Sequence, residues 1–223
     1  MTVKLISYSK GEKDESLQDI IAYTARVSNP SNQGSTETSE RLLRYLIREK
    51  HWSPFEMVSA CLEVTTTRDI ARQLLRHRSF SFQEFSQRYA DPTKDLSFKM
   101  RQARLQDTKN RQNSIELSDM MDSDERVDLE LSWYQQQAEV VNAARKSYEW
   151  AIKNGIAKEQ ARAVLPEGIT NSRLYVNGTI RSWIHYIDLR SRHGTQKEHI
   201  ELAKACAEAL KPVFPMIEEF CHD

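Results

Sequence analysis

The chain has 223 residues, enough to bury a sizeable hydrophobic core within one domain. Lysine plus arginine equals aspartate plus glutamate at 32 each, so no overall field draws the protein to nucleic acid or an anionic membrane, and any basic site has to be local. The N-terminal MTVKLISYSK lacks an apolar signal core, and no stretch approaches the roughly 18 apolar residues that span a bilayer; a soluble, cytoplasmic protein is expected. Cys61, Cys206 and Cys221 are widely spaced and odd in number, which suits reduced thiols rather than a disulfide framework, and they form no CxxC pair for zinc.

Residues 16–28 (SLQDIIAYTARVS) and 38–50 (TSERLLRYLIREK) carry apolar side chains at three- and four-residue steps. Both read as amphipathic helices, so the chain is expected to begin helically. In SPFE, residues 53–56, Ser53 is placed as N-cap, Pro54 at the first helical position and Glu56 at N3, which predicts one short helical turn. From Val58 the period changes to two: Val58, Ala60, Leu62 and Val64 share one face and Ser59, Cys61, Glu63 and Thr65 the other, the pattern of a half-buried strand. Thr67 can cap the helix that follows, with Ile70, Ala71, Leu74 and Leu75 as its buried stripe and Arg72, Gln73 and Arg76 on the opposite face. That helix is expected to end near His77, with the chain continuing as a loop.

Residues 91–127 are polar with little periodicity and read as a long excursion. A long helix from about Leu129 to Lys153 is closed by Asn154-Gly155, and a short helical turn spans Glu159 to Val164 before Pro166. Residues 169–178 look extended; Thr179 to Leu189 and Gln196 to Leu210 read as helices, with Pro212 and Pro215 interrupting or restarting the last. The whole predicts a helix-rich α+β single domain over residues 1–223, with a mixed or antiparallel sheet flanked by helices. The six glycines make neither GxGxxG nor a Walker A loop, so no standard Rossmann crevice is expected. No GxSxG elbow and no HExxH pair occur, which weakens hydrolase and zinc readings, and no metal site is expected.

The densest chemistry lies in RHRSFSFQEFSQRY, residues 76–89, with three arginines, one histidine, three phenylalanines and one glutamate. Arginine presents a planar fork of donors suited to phosphate or to the carbonyls of a flat heterocycle, and it keeps its charge at neutral pH. Further arginines stand in ARAVLP (161–166, Arg162) and RSWIHYIDLR (181–190, Arg181 and Arg190, with His185). A plainer reading pairs Arg72, Arg76 and Arg78 with Asp69 or Glu84 at a helix end, and treats Phe80, Phe82, Phe85 and Tyr89 as packing residues. A second functional class is a single-stranded nucleic-acid binder, because residues 68–104 hold nine Lys or Arg against four Asp or Glu, interleaved with aromatics.

Arg76-His77-Arg78 followed by Ser86, with Glu84, Arg88 and Tyr89 in step, resembles the signature of the flavin-dependent thymidylate synthases, also called thymidylate synthase complementing proteins. HWSPFE (51–56), ARAVLP and HYIDLRSRHGTQKEH (185–199) resemble further segments of that family in the same order. The resemblance implies conversion of dUMP to dTMP, with methylenetetrahydrofolate as one-carbon donor and NADPH as reductant through bound FAD, in a homotetramer whose sites are shared between subunits. It implies FAD contacts from Ser53, Arg76, His77, Arg78, Glu84, Arg181 and His185. It implies a dUMP site from Gln73, Arg76, Glu84, Ser86, Gln87, Arg88, Arg162 and Arg190. Arg190 is the implied catalytic residue, its cation favouring the ionised, electron-rich uracil. A cysteine nucleophile is not expected; Cys61 falls on a strand and Cys206 in an alanine-rich helix, both read as structural. Two features depart from many relatives: Gln83 stands in place of Asn, and SRHGTQ follows Arg190 in place of HAQ, so no role passes to His193.

Overall fold

In a computed structural model, which describes residues 1–222, four strands form one antiparallel sheet in the order β1-β2-β6-β3. These are β1 (Thr2–Tyr8), β2 (Ser59–Thr67), β3 (Ser81–Glu84) and β6 (Asn171–Thr179). Helices α1 (Leu17–Ala25), α2 (Ser39–Arg48), α3 (Arg68–Leu74), α4 (Pro92–Asp95), α5 (Ser123–Lys153), α6 (Lys158–Ala161), α7 (Ile180–Arg190) and α8 (Lys197–Leu210) complete the α+β fold with a hairpin of β4 (Arg104–Gln106) and β5 (Ser114–Glu116).

The alternation read from Val58 holds in β2. Val58, Ala60, Leu62 and Val64 are buried, while Ser59, Cys61, Glu63 and Thr65 are half-buried. β6 pairs with it over nine positions, from Ser59↔Thr179 to Thr67↔Asn171, so Leu174 and Val176 fall on the same inner face. Against that face pack Ile70, Ala71 and Leu74 of α3, Ile180, Trp183, Ile184 and Ile187 of α7, and Leu202, Cys206 and Leu210 of α8. A smaller core joins Tyr148 and Ala151 of α5 to Ala161 and Leu165.

The expected helical beginning is corrected: the chain starts with a strand. β1 pairs antiparallel with β2, Val3 opposite Val64 and Leu5 opposite Leu62, but its register shifts between Leu5 and Ser7, leaving Ile6 half exposed. The bulge breaks the two-residue period that would have announced it. In SPFE the turn is 3₁₀, its N-cap is Trp52, and Ser53 is its first residue with no capping hydrogen bond. α3 stops at Leu74 instead of near His77, and the expected loop contains β3, whose four residues are too few to declare a period. α5 begins before Leu129 because Asp122 accepts hydrogen bonds from the backbone N–H groups of Asp124 (3.1 Å) and Glu125 (3.0 Å); its first turns are exposed and so carry no apolar stripe. The polar excursion is partly ordered by α4 and the β4–β5 hairpin, and Gln137 of α5 anchors it by bonding the backbone N–H and C=O of Arg101 at 2.7 and 2.9 Å. Among the described residues no helix is long and apolar enough to cross a membrane.

Gly178 lies opposite Ala60, and a Cβ there would overlap the Phe80 ring, which is itself packed 4.5 Å from Trp183. Gly178→Ala is therefore expected to destabilise by roughly 1–3 kcal/mol, read as a lower Tm at about 2–4 °C per kcal/mol. An unchanged melting curve would show that Phe80 moves aside freely.

Candidate active site

α3 leaves β2 after Thr67 and α7 leaves β6 after Thr179, so the two helices start at opposite ends of an antiparallel pair. Their C-terminal ends converge. Arg190, the last residue of α7, donates from Nε to His77 Nε2 at 3.0 Å, three residues beyond the end of α3. Arginine offers only donors, so His77 Nε2 must carry the lone pair and the ring proton sits on Nδ1. Burial, then the charges of Arg190 and Arg76, push the His77 pKa down to about 4, which keeps the ring neutral.

Behind this pair stands His199, fully buried, whose Nδ1 lies 3.1 Å from Gln73 Oε1. Burial, then Arg190 and His77, lower its pKa to about 3. Gln73 Nε2 donates to Gln196 Oε1 at 2.8 Å, and Gln196 Nε2 donates to Glu198 Oε2 at 2.9 Å. Glu198 is ion-paired with Arg101 (3.3 Å) and Arg104. Of this network, the sequence pointed only to Arg190, His77 and Gln73. Gln196, Glu198 and His199 stood in the quoted segment 185–199 without assigned roles, and Arg101 and Arg104 were hidden in the aperiodic excursion. A cleft of about 600 Å³ adjoins the network through Gln196 and is lined also by Arg101, Arg104, Trp133, Gln137 and Glu198. None of the expected nucleotide or flavin residues lines it.

A second group gathers at the 3₁₀ turn and the start of α7. Arg181 Nη1 donates to Glu56 Oε1 at 2.6 Å, and His185 meets the Trp52 ring edge-on at 4.7 Å, beside exposed Ser53. Burial, then Arg181, lower the His185 pKa. A third group lies on and beyond β3. Glu84 accepts from Ser172 Oγ (2.7 Å) and Arg68 (3.3 Å); Arg88 pairs with Glu159 at 3.3 Å, and Arg162 Nε donates to the Glu159 carbonyl at 3.3 Å. Ser86 Oγ accepts from the Arg88 N–H, and Gln87 is buried with Nε2 unpartnered. Among the described residues no hydrogen bond or ion pair joins these two groups to Arg190.

Asp69 and Glu84, the acids that the plainer reading pairs with the signature, are taken by Arg101 and Arg68. Arg76 and Arg78 are exposed, and their guanidinium groups make no hydrogen bond or ion pair with any described residue. Two expectations are corrected. Arg72 pairs with Glu167 at the surface instead of with Asp69 or Glu84, and Tyr89 is 83% exposed instead of packed. Among the described residues no group of His, Cys, Asp and Glu could hold a metal ion.

Fold and donors together define an α+β protein with a concentration of free and half-free guanidinium groups around neutral imidazoles, suited to planar anionic ligands. Residues 4–216 match the family model of the thymidylate synthase complementing proteins, and the chain belongs to that family. It is 48% identical to the "Probable flavin-dependent thymidylate synthase" of Paramecium bursaria Chlorella virus 1 and 47% identical to the flavin-dependent thymidylate synthase of Synechocystis sp., covering 97% of each and matched over 97% of itself. Its backbone is similar to that of the UMP/dUMP methylase PolB from Streptomyces cacaoi bound with 5-Br dUMP, with a TM-score of 0.76 and 26% identity over 98% of this chain and 93% of that one.

The depressed histidines carry a sign. Below pH 6.5 the unfolded chain takes up protons that folded His77 refuses, so this contribution to stability is intact above pH 6.5 and is lost as the pH falls towards about 4. The Tm is expected to fall over that window, and less steeply in His77→Gln, whose amide oxygen can still accept from Arg190. Identical slopes for the two proteins would remove His77 as a source of the dependence.

Proposed function

We propose that this protein is a flavin-dependent thymidylate synthase, converting dUMP to dTMP with methylenetetrahydrofolate as one-carbon donor and NADPH as reductant through bound FAD. The observation that carries this reading is the contact of Arg190 with neutral His77 beside the exposed, unpaired guanidinium groups of Arg76 and Arg78, in a chain that belongs to the family over residues 4–216.

The donor set fits a flavin dinucleotide. Arg76 and Arg78 have free forks for phosphate, and Arg181, His185 and Ser53 flank the Trp52 ring at a second patch. Glu84 and His77 complete the proposed FAD contacts. Bound FAD supplies the hydride chemistry that no side chain can. Gln73, Arg76, Glu84, Ser86, Gln87, Arg88, Arg162 and Arg190 hold dUMP; the buried, unpartnered Gln87 Nε2 is a donor awaiting an acceptor. His77 occupies Nε of Arg190 and thereby fixes the plane of the guanidinium, leaving its two outer nitrogens for the ligand. Facing N3 and its flanking carbonyls, that cation stabilises the ionised ring and makes C5 the more nucleophilic carbon.

The cysteines stay out of the chemistry. Cys206 is fully buried and burial pushes its thiol well above the usual range; burial also raises Cys61, on the outward face of β2. The separate groups of ligand residues complete one another across subunits of a cytoplasmic homotetramer, each chain contributing all of residues 1–223 as one domain. Leu131, Trp133, Tyr134, Val140 and Trp150 support that assembly as large apolar residues exposed along α5.

The test is dTMP formation by the FAD-loaded tetramer given dUMP, methylenetetrahydrofolate and NADPH. The wild type is expected to make dTMP, and Arg190→Ala to retain FAD while losing about 100-fold or more in kcat, the scale of removing one preorganised charge donor. Absence of product from the folded, loaded wild type would overturn the reading.

A further inference from the structure

Gln73, Gln196, Glu198 and His199 form one hydrogen-bonded row whose polarity is dictated from one end. Glu198 is that end. Burial alone would raise its carboxyl, but its own backbone N–H, Gln196, Arg101 and Arg104 outweigh burial and hold it below the usual range, so it is ionised and only accepts. Gln196 must therefore turn its NH₂ to Glu198 Oε2 and its oxygen to Gln73. Gln73 must in turn offer Nε2 to Gln196 Oε1, which leaves its own Oε1 facing His199 Nδ1. His199 is neutral, so its single ring proton lies on Nδ1 and its buried Nε2 is left as an acceptor with no partner.

Turning the Gln73 amide over would set oxygen against oxygen at Gln196, and at His199 it would either oppose two donors or drive the ring proton to Nε2, where no acceptor stands. At fully buried His199 the unmade hydrogen bond is not readily replaced by water. The row thus presents one remaining N–H and one remaining oxygen lone pair of Gln73 in fixed places.

We propose that Glu198, Gln196 and His199 are positioning residues that lock the Gln73 amide in the one orientation that binds the nucleotide. The proposal rests on the reading of this site as one for dUMP. The three residues act through Gln73 and need not touch the ligand. Their effect therefore falls on nucleotide binding more than on turnover.

Asparagine can place its amide donor where the histidine Nδ1–H stands, whereas leucine cannot, and both remove the ring. His199→Asn and His199→Leu are compared with wild type by KM for dUMP, KM for methylenetetrahydrofolate, kcat, retained FAD and Tm. His199→Leu is expected to raise KM for dUMP about tenfold, with kcat and the folate KM changed less than about threefold. His199→Asn is expected to stay within about twofold of wild type in KM despite a similar fall in Tm. Gln196→Ala, at a half-buried helix cap, gives a second route should His199→Leu not fold, and is expected to raise KM for dUMP several-fold. Equal KM values for His199→Asn and His199→Leu, or a wild-type KM in Gln196→Ala, would overturn the proposal. A wild-type enzyme that neither binds nor turns over dUMP would instead overturn the functional reading beneath it.

Discussion

The nine-residue register between β2 and β6 is the constraint on which the site depends. It sets Leu62 beside Val176 and Val64 beside Leu174, so a slip of one residue would turn the inner face outwards and leave α3 and α7 nothing to pack on. Each strand-to-helix junction is also tied to the neighbouring strand region. Arg68 N–H bonds the Thr170 carbonyl at 2.9 Å, Ile180 N–H bonds the Val58 carbonyl at 3.0 Å, and the buried Trp183 indole donates to the Ala60 carbonyl at 3.0 Å. With both helices pinned at their starts, their lengths decide where they end. Seven residues of α3 and eleven of α7 bring His77 and Arg190 within hydrogen-bonding distance.

Where charge is concentrated, the fold separates the arginines tied into buried ion pairs from those left exposed and unpaired. Arg68 and Arg101 take Glu84 and Asp69, and Arg104 takes Glu198, all in partly or largely buried pairs. Arg76 and Arg78 remain open to solvent. Arg190 stands in the last turn of α7, where the helix dipole favours a cation, and a neutral imidazole supplies its acceptor without cancelling its charge. A carboxylate in the place of His77 would have neutralised the guanidinium proposed to act on uracil. The burial and neighbouring cations that keep His77 uncharged are therefore part of the same electrostatic design as Arg190 itself.

Much of this was legible in the residues. β2 showed its period because one face is wholly buried, and α7 and α8 showed theirs because Trp183, Ile187, Leu202 and Cys206 recur at helical steps on buried faces. β1 was missed because a bulge breaks its alternation, β3 because it is four residues long, and the first turns of α5 because an exposed helix start carries no apolar stripe. At the site, Arg190, His77 and Gln73 came from the resemblance of their motifs to those of the family. The supporting row did not, since no local pattern tells that Gln196, the N-cap of α8, and His199, in its first turn, reach back to a side chain of α3. Nor could the sequence alone assign Arg72 to Glu167, a partner distant along the chain.

These arginines and neutral histidines are proposed to hold a redox-active flavin beside a uracil nucleotide. That proposal is tested most directly by the visible absorbance spectrum of the folded, assembled protein supplied with FAD, before and after anaerobic NADPH, with and without dUMP. The expected result is a retained oxidised-flavin spectrum that bleaches on NADPH and whose bands shift when dUMP is present. A folded, tetrameric protein that neither retains the flavin nor reduces it, and whose spectrum ignores dUMP, would contradict it.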